Sequence, residues 1–193
     1  RRVIAATYQA ASGAGASAME ELRASTEAYL AGRNYEPRVL PHPYAFNVFS
    51  HNDRVDLESG ANGEEIKVAR ELRKIMNEPD LRIAITCVRV PVLRAHTIAL
   101  TVEFDRALSV EAAREILSTA PGVKVIDDRA KNYFPMPIDA SGQDDVLVGR
   151  IRKDLSDPSG RSISMFVSAD QLLKGAALNA VQIAELLPQR AMA

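Results

Sequence analysis

LRIAITCVRV-PVLRA-HTIALTVEF, residues 81–104, is the stretch that decides the fold class. Residues 81–90 and 96–104 are rich in β-branched side chains and alternate apolar with polar, the period of a strand with one buried face. The link at 91–95 begins with Pro91 and is too long for a two-residue hairpin turn. Two strands with no helix between them break the βαβ alternation of a doubly wound sheet. They point instead to an α+β domain, with a mixed or largely antiparallel sheet covered by helices on one face. Upstream, Asn62 and Glu65 form a cap signature that opens an amphipathic helix over 64–76, with Ile66, Ala69, Leu72, Ile75 and Met76 on its apolar face. Residues 34–61 show no period and hold three prolines, so an irregular, functional or interfacial loop is expected there. Before it, Ser17 and Glu20 suggest a capped helix ending near Gly32, with Met19, Leu22, Thr26 and Tyr29 or Leu30 turned inward. A short strand at 2–7 begins the chain. Downstream, Ser109 caps a helix stopped by Pro121 and Gly122, and strands are expected at 123–127, 146–153 and 162–167. Ser168 with Gln171 then opens a last helix, apolar nearly all round, running to about Leu187.

Charge and composition narrow the function classes. The 193 residues carry 24 Lys+Arg against 25 Asp+Glu, a net charge of −1, so neither nucleic acid nor an anionic membrane is drawn over distance. A hydrophobic share of 47% is that of a globular domain with a real core. The single cysteine excludes an internal disulfide framework, and no apolar run is long enough to span a membrane. The opening RRVIAATYQA does not read as a signal peptide, and a start without Met, directly in a strand, suggests a piece of something longer.

Several groups could carry chemistry. His42, His51 and His96 lack the spacing of a metal pair, so no metal is expected. Ser12-Gly13-Ala14-Gly15 sits between strand and helix like a nucleotide turn. Ala18 replaces the third glycine of the dinucleotide fingerprint, and a plain small-residue turn explains the spacing better. Cys87 lies in an apolar strand, where a thiol has little thiolate character. Arg89, Arg94 and His96 surround Pro91 and suit the holding of a carboxylate or phosphate beside a base; two solvated arginines and a strand-start histidine fit as well. Glu64 and Lys67 share a helix face, either as a solvated pair or as one anion and one cation for a zwitterionic ligand.

Five blocks together resemble one family: TYQAASGAG (7–15), AFNV (45–48), GEEIK (63–67), CVRVPVLRAH (87–96) and LKGAALNAVQIAE (173–185). They are similar to the C-terminal part of the aspartate-β-semialdehyde dehydrogenases. The resemblance implies the catalytic-domain fold of the glyceraldehyde-3-phosphate dehydrogenase-like group. It further implies a cytoplasmic NADP-dependent oxidoreductase of lysine, methionine and threonine biosynthesis that reduces aspartyl-β-phosphate through a cysteine thioester. Carried over by position, His96 is the acid/base, Gln9 lies beside the acyl group, Arg89 clamps the α-carboxylate, Glu64 takes the amine and Lys67 the phosphate. Ser12, Gly13 and Asn179 line the path of NADP. The family's Asn-Cys-Ser/Thr nucleophile motif and its Gly-rich nucleotide domain are not in this sequence, and Cys87 does not replace the nucleophile. The resemblance therefore implies a substrate-binding and homodimerisation domain at 1–168. It also implies a helix at 169–193 that packs on an N-terminal NADP-binding domain, and a chain that is inactive alone. Two alternatives remain: a non-catalytic dimerisation or binding module, and a reductase of the N-acetylglutamyl-phosphate type, which Glu64 disfavours because an acetylated amine has no use for an anion.

Overall fold

The computed structural model describes residues 1–191. Among these, seven strands form one mixed sheet: β1 (Arg2–Gln9), β2 (Phe49–Ser50), β3 (Arg82–Arg89), β4 (His96–Glu103), β5 (Val123–Val125), β6 (Val146–Lys153) and β7 (Ser162–Ala169). Their spatial order is β2-β3-β1-β4-β7-β6-β5. The α+β class and the mixed sheet agree with the sequence reading. The two strands that suggested them, however, are not neighbours. β1 lies between them, parallel to β3 and antiparallel to β4. The 90–95 link is a strap across the end of β1, where the carbonyls of Val92 and Leu93 accept the N–H groups of Ala11 and Ser12 at 2.8 and 2.9 Å.

The helices are α1 (Ala16–Leu30), α2 (Gly63–Met76), α3 (Val110–Thr119), the single turn α4 (Pro137–Ala140) and α5 (Leu178–Ala191). α2 and α3 cover one face of the sheet. Val68 and Leu72 of α2 stand over Val3, Ile83, Ile85 and Leu100. Ala113, Val110 and Leu117 of α3 pack on Val148, Ile151, Ile163, Met165 and Val167. The opposite face is left with Ile4, Ala84 and Thr86 exposed, and Tyr8 and Phe166 meet there at a ring separation of 6.4 Å.

Capping separates the local expectations that hold from those that do not. Asn62 and Glu65 do form a reciprocal capping box, and Ser109 accepts from Ala112 N–H at 3.0 Å. Ser17 caps nothing: α1 starts at Ala16 from Gly15, whose φ of 94° suits glycine alone. Its buried side is Ala18, Glu21, Leu22, Ser25 and Ala28, while Tyr29 and Leu30 are exposed. Ser168 is no cap either. It belongs to β7, and Asp170 instead accepts Leu172 N–H at 3.0 Å through its side chain. A π-helical turn over Leu173–Ala177 then leads into α5, so the helix starts later than expected. Leu172, Val181, Ile183, Leu186 and Leu187 are exposed along this segment. Of the expected segment 169–193, the last two positions lie outside the described residues. On α2 the packed side is rotated from the expected one, leaving Ile75 and Met76 exposed.

The irregular stretch 34–61 is anchored by one carboxylate. Glu21, 4% exposed, accepts the backbone N–H groups of Arg38, Val39 and Leu40 at 2.6, 2.8 and 2.9 Å. Leu40 and Tyr44 then pack with Ala11, Ala18 and Leu22 in a small core of their own. This anchoring carries residues 51 and 52 to the end of β3, where His51 N–H donates to the Cys87 carbonyl at 2.9 Å.

Candidate functional site

Three strand ends meet where the strap crosses. Gln9 ends β1 in register with Arg89 at the end of β3, and the pairing of Tyr8 with Thr97 sets His96, the first residue of β4, on its other side. The first turn of α2 brings Glu64 above them, where the Gln9 amide donates to Glu64 Oε1 at 3.4 Å and to Thr7 Oγ1 at 3.3 Å. Lys67 Nζ donates to Glu64 Oε2 at 2.8 Å. Ala10 N–H donates to His96 Nδ1 at 3.1 Å. The turn after β1 comes so near that a Cβ on Gly13 would stand 3.0 Å from His96 Nε2 and 3.4 Å from Arg89 Nη1. A cavity of about 360 Å³ extends from Gln9, Glu64 and His96 along the strand face to Leu72 and Leu100. A larger one, about 730 Å³, lies between Arg1, Met76 and Phe104 and holds none of these groups.

The electrostatics follow from burial. Arg89 is 4% exposed and forms no ion pair among the described residues. Its partners are neutral: Asn52 Oδ1 accepts from Nε at 3.0 Å, the Ala10 carbonyl from Nη1 at 3.3 Å, and His51 Nε2 meets Nη2 at 2.8 Å. A buried cation without a carboxylate is costly unless an anion joins it. Burial pushes the His96 pKa down to about 4, and the Arg89 charge pushes the same way. The imidazole is thus neutral at pH 7. Burial pushes the Glu64 carboxyl up, but the hydrogen bond and charge of Lys67, with Gln9 and His51, outweigh it and hold it below its usual range. The same hydrogen bond raises Lys67, so the pair stays ionised. Cys87 is fully buried, and burial raises its thiol pKa.

Of the residues singled out from sequence, Gln9, Glu64, Lys67, Arg89, His96 and Gly13 come together. Ser12 is tied by its hydroxyl to the Gln171 amide, and the Gln171 carbonyl is buried with no partner. Asn179 is exposed on α5 and is not drawn into this group by any hydrogen bond among the described residues. Arg94 turns away from the site to Asp170, at 2.7 Å, so the three-residue constellation around Pro91 reduces to two. His51, Asn52 and Tyr44 were not foreseen here, because their loop has no period to place them. The Tyr44 hydroxyl is buried without a partner, its pKa pushed up to about 12 by burial against the pull of Arg89.

The fold and site define an α+β domain in which a buried guanidinium with neutral partners stands near a neutral imidazole. The chain belongs to the family described as semialdehyde dehydrogenase, dimerisation domain, which matches residues 1–174. It is 53% identical over 190 residues to the aspartate-semialdehyde dehydrogenase of Synechocystis sp., covering 98% of this chain and 55% of that protein. The crystal structure of aspartate semialdehyde dehydrogenase II from Vibrio cholerae is similar with a TM-score of 0.91 at 39% identity, over 97% of this chain and 55% of that one. A second structure of the Vibrio cholerae enzyme, complexed with ASA, gives the same values. The chain therefore spans about half the length of the curated relatives it matches.

Proposed function

We propose that this chain is the substrate-binding and dimerisation half of an NADP-dependent aspartate-semialdehyde dehydrogenase, which forms aspartate β-semialdehyde from aspartyl-β-phosphate. The observation that carries this reading is Arg89, a buried guanidinium with only neutral partners on the same side of the sheet as an ionised Glu64–Lys67 pair. An amino acid bearing a free ammonium, a carboxylate and an acyl phosphate needs one anion and two cations at its site. Arg89 holds the α-carboxylate, Glu64 the ammonium and Lys67 the phosphate. Gln9 lies beside the acyl carbon, and His96, kept neutral by burial, exchanges a proton with the reacting oxygen or with the attacking thiol. That thiol comes from the other half of the enzyme, since Cys87 is buried and held protonated.

NADPH, when bound, supplies the hydride that takes the acyl group to the aldehyde. The residues present fit such a group: the partnerless Gln171 carbonyl beside Ser12 offers an acceptor to a carboxamide N–H. Gly13 leaves room at the turn, and Asn179 follows on α5. Most of the nucleotide contacts belong to a domain outside this chain, and the exposed apolar side chains between Leu172 and Leu187 are the surface that meets it. The uncovered sheet face around Ile4, Ala84 and Thr86 pairs two copies in a cytoplasmic homodimer. The ionised Glu64 also weighs against an acetylated amine as substrate.

The test is phosphate-dependent reduction of NADP by aspartate semialdehyde, measured for the native polypeptide that carries this sequence and for this chain alone. Activity in the first and none in the second is expected. Retention of near-normal kcat/KM in the native polypeptide after either Arg89→Leu or His96→Ala would overturn the assignment.

A further inference from the structure

Both nitrogens of His51 face groups that can only donate. Asp53 N–H points at Nδ1 at 3.2 Å, and Arg89 Nη2 points at Nε2 at 2.8 Å. A guanidinium and a backbone N–H have no lone pair to offer, and a neutral imidazole has one acceptor nitrogen. Burial, and then the Arg89 charge, hold the His51 pKa below its ordinary value, against the opposing pull of Glu64 and Asp53. The ring is therefore neutral and can accept from only one of the two donors at a time. With the hydrogen on Nδ1, Arg89 is satisfied and Asp53 N–H is not. With the hydrogen on Nε2, Asp53 is satisfied, and Arg89 Nη2–H and His51 Nε2–H point together.

We propose that His51 is a second substrate-contacting residue, which joins Arg89 in holding the ligand's carboxylate by presenting Nε2–H to it after a change of tautomer. This rests on the reading of Arg89 as the carboxylate clamp. An oxygen at the junction of Arg89 and His51 accepts from both, and Nδ1, freed of its hydrogen, accepts from Asp53 N–H. The ring loses one proton at Nδ1 and gains one at Nε2, so net charge is unchanged. The clamp does not need His51 to stay in place, because Asn52 Oδ1 and the Ala10 carbonyl hold Arg89 by two other N–H groups. Once His51 no longer accepts from Nη2, three of the five guanidinium donors remain for the ligand.

The experiment is 15N NMR of the His51 ring in the native polypeptide, with and without aspartate semialdehyde and with NADP withheld, alongside steady-state kinetics. Nε2 is expected to pass from an unprotonated to a protonated shift when the ligand binds. His51→Leu is expected to raise KM for aspartate semialdehyde by roughly tenfold, the scale of one hydrogen bond to a charged group, and more than it lowers kcat. His51→Gln, whose amide can donate to the same oxygen, recovers most of that loss. A KM within twofold of the unsubstituted enzyme in His51→Leu, or an Nε2 that stays unprotonated in the complex, overturns the proposal. Arg89→Leu separates the two claims: if it weakens binding while His51→Leu does not, only the tautomer proposal fails. If Arg89→Leu leaves KM unchanged, the carboxylate clamp itself is wrong and His51 falls with it.

Discussion

Ala10 donates its backbone N–H to Nδ1 of His96 at 3.1 Å, which leaves the hydrogen of the neutral ring on Nε2, on the side facing Gly13. The tautomer is set by a peptide group rather than a side chain, so no substitution at position 10 other than proline removes it. Burial keeps this ring neutral down to about pH 4, whereas in the unfolded chain it takes a proton near 6.5. Between those values the unfolded state binds more protons, so stability falls as the pH drops from 6.5 toward 4, by at most about 3 kcal/mol. Urea unfolding of the chain at pH 7 and pH 4.5 measures this. His96→Asn is expected to show a shallower decline; equal declines in both proteins would contradict the burial argument.

Gly13 owes its place to contact rather than to its own backbone angle. A methyl group there would press on His96 at 3.0 Å and on Arg89 at 3.4 Å. Gly13→Ala is expected to cut kcat/KM of the native polypeptide by about tenfold or more, since small misplacements of catalytic groups are costly, while the thermal midpoint moves little. A midpoint that collapses with the activity would mean the glycine serves the fold instead.

Cys87 offers a simple check on which thiol does the chemistry. It is fully buried and its pKa is raised by burial. Iodoacetamide at pH 8 should leave the folded chain unlabelled and label it once urea is added. Rapid labelling of the folded chain would reopen Cys87 as a nucleophile.

With its one carboxylate Glu21 holds three backbone N–H groups, that of Leu40 buried. Glu21→Ala is expected to destabilise the chain by about 2 kcal/mol, the cost of one buried donor left unmet at Leu40 and the net loss of two more exposed hydrogen bonds to a charged group. It should also free residues 34–61 to proteolysis. A stability loss under about 1 kcal/mol would show that the loop is held by Leu40 and Tyr44 rather than by the carboxylate.

How far the sequence could be read depended on how local each cause was. The Asn62–Glu65 box involves four consecutive residues and was legible outright. The side of α2 that packs was not, because the helix sequence alone does not say where the sheet lies: Val68 and Leu72 face it, and Ile75 and Met76 do not. Residues 81–90 and 96–104 were recognised as strands, yet the strand between them comes from the other end of the chain, and that pairing leaves no mark on the link. The family resemblance named eight site residues, and six of them, Gln9, Gly13, Glu64, Lys67, Arg89 and His96, lie together, whereas Ser12 is tied to Gln171 and Asn179 is exposed on α5. Arg94 looked like one of them, until its carboxylate partner Asp170 appeared 76 residues away. His51 and Asn52 stayed hidden in an aperiodic loop whose course depends on Glu21.

β1, crossed at its end by the strap at 90–95, makes strand spacing a ruler. Arg89 and His96 flank β1, so their strands are held apart by two interstrand steps, about 10 Å, whatever side chains the strap carries. An insertion or deletion within the strap leaves that spacing to the two ladders on β1 and disturbs instead the carbonyls of Val92 and Leu93 that hold Ala11 and Ser12. Substitutions in this link should therefore be tolerated more readily than changes in its length, which would shift the turn that sets Gly13 against His96 and Arg89.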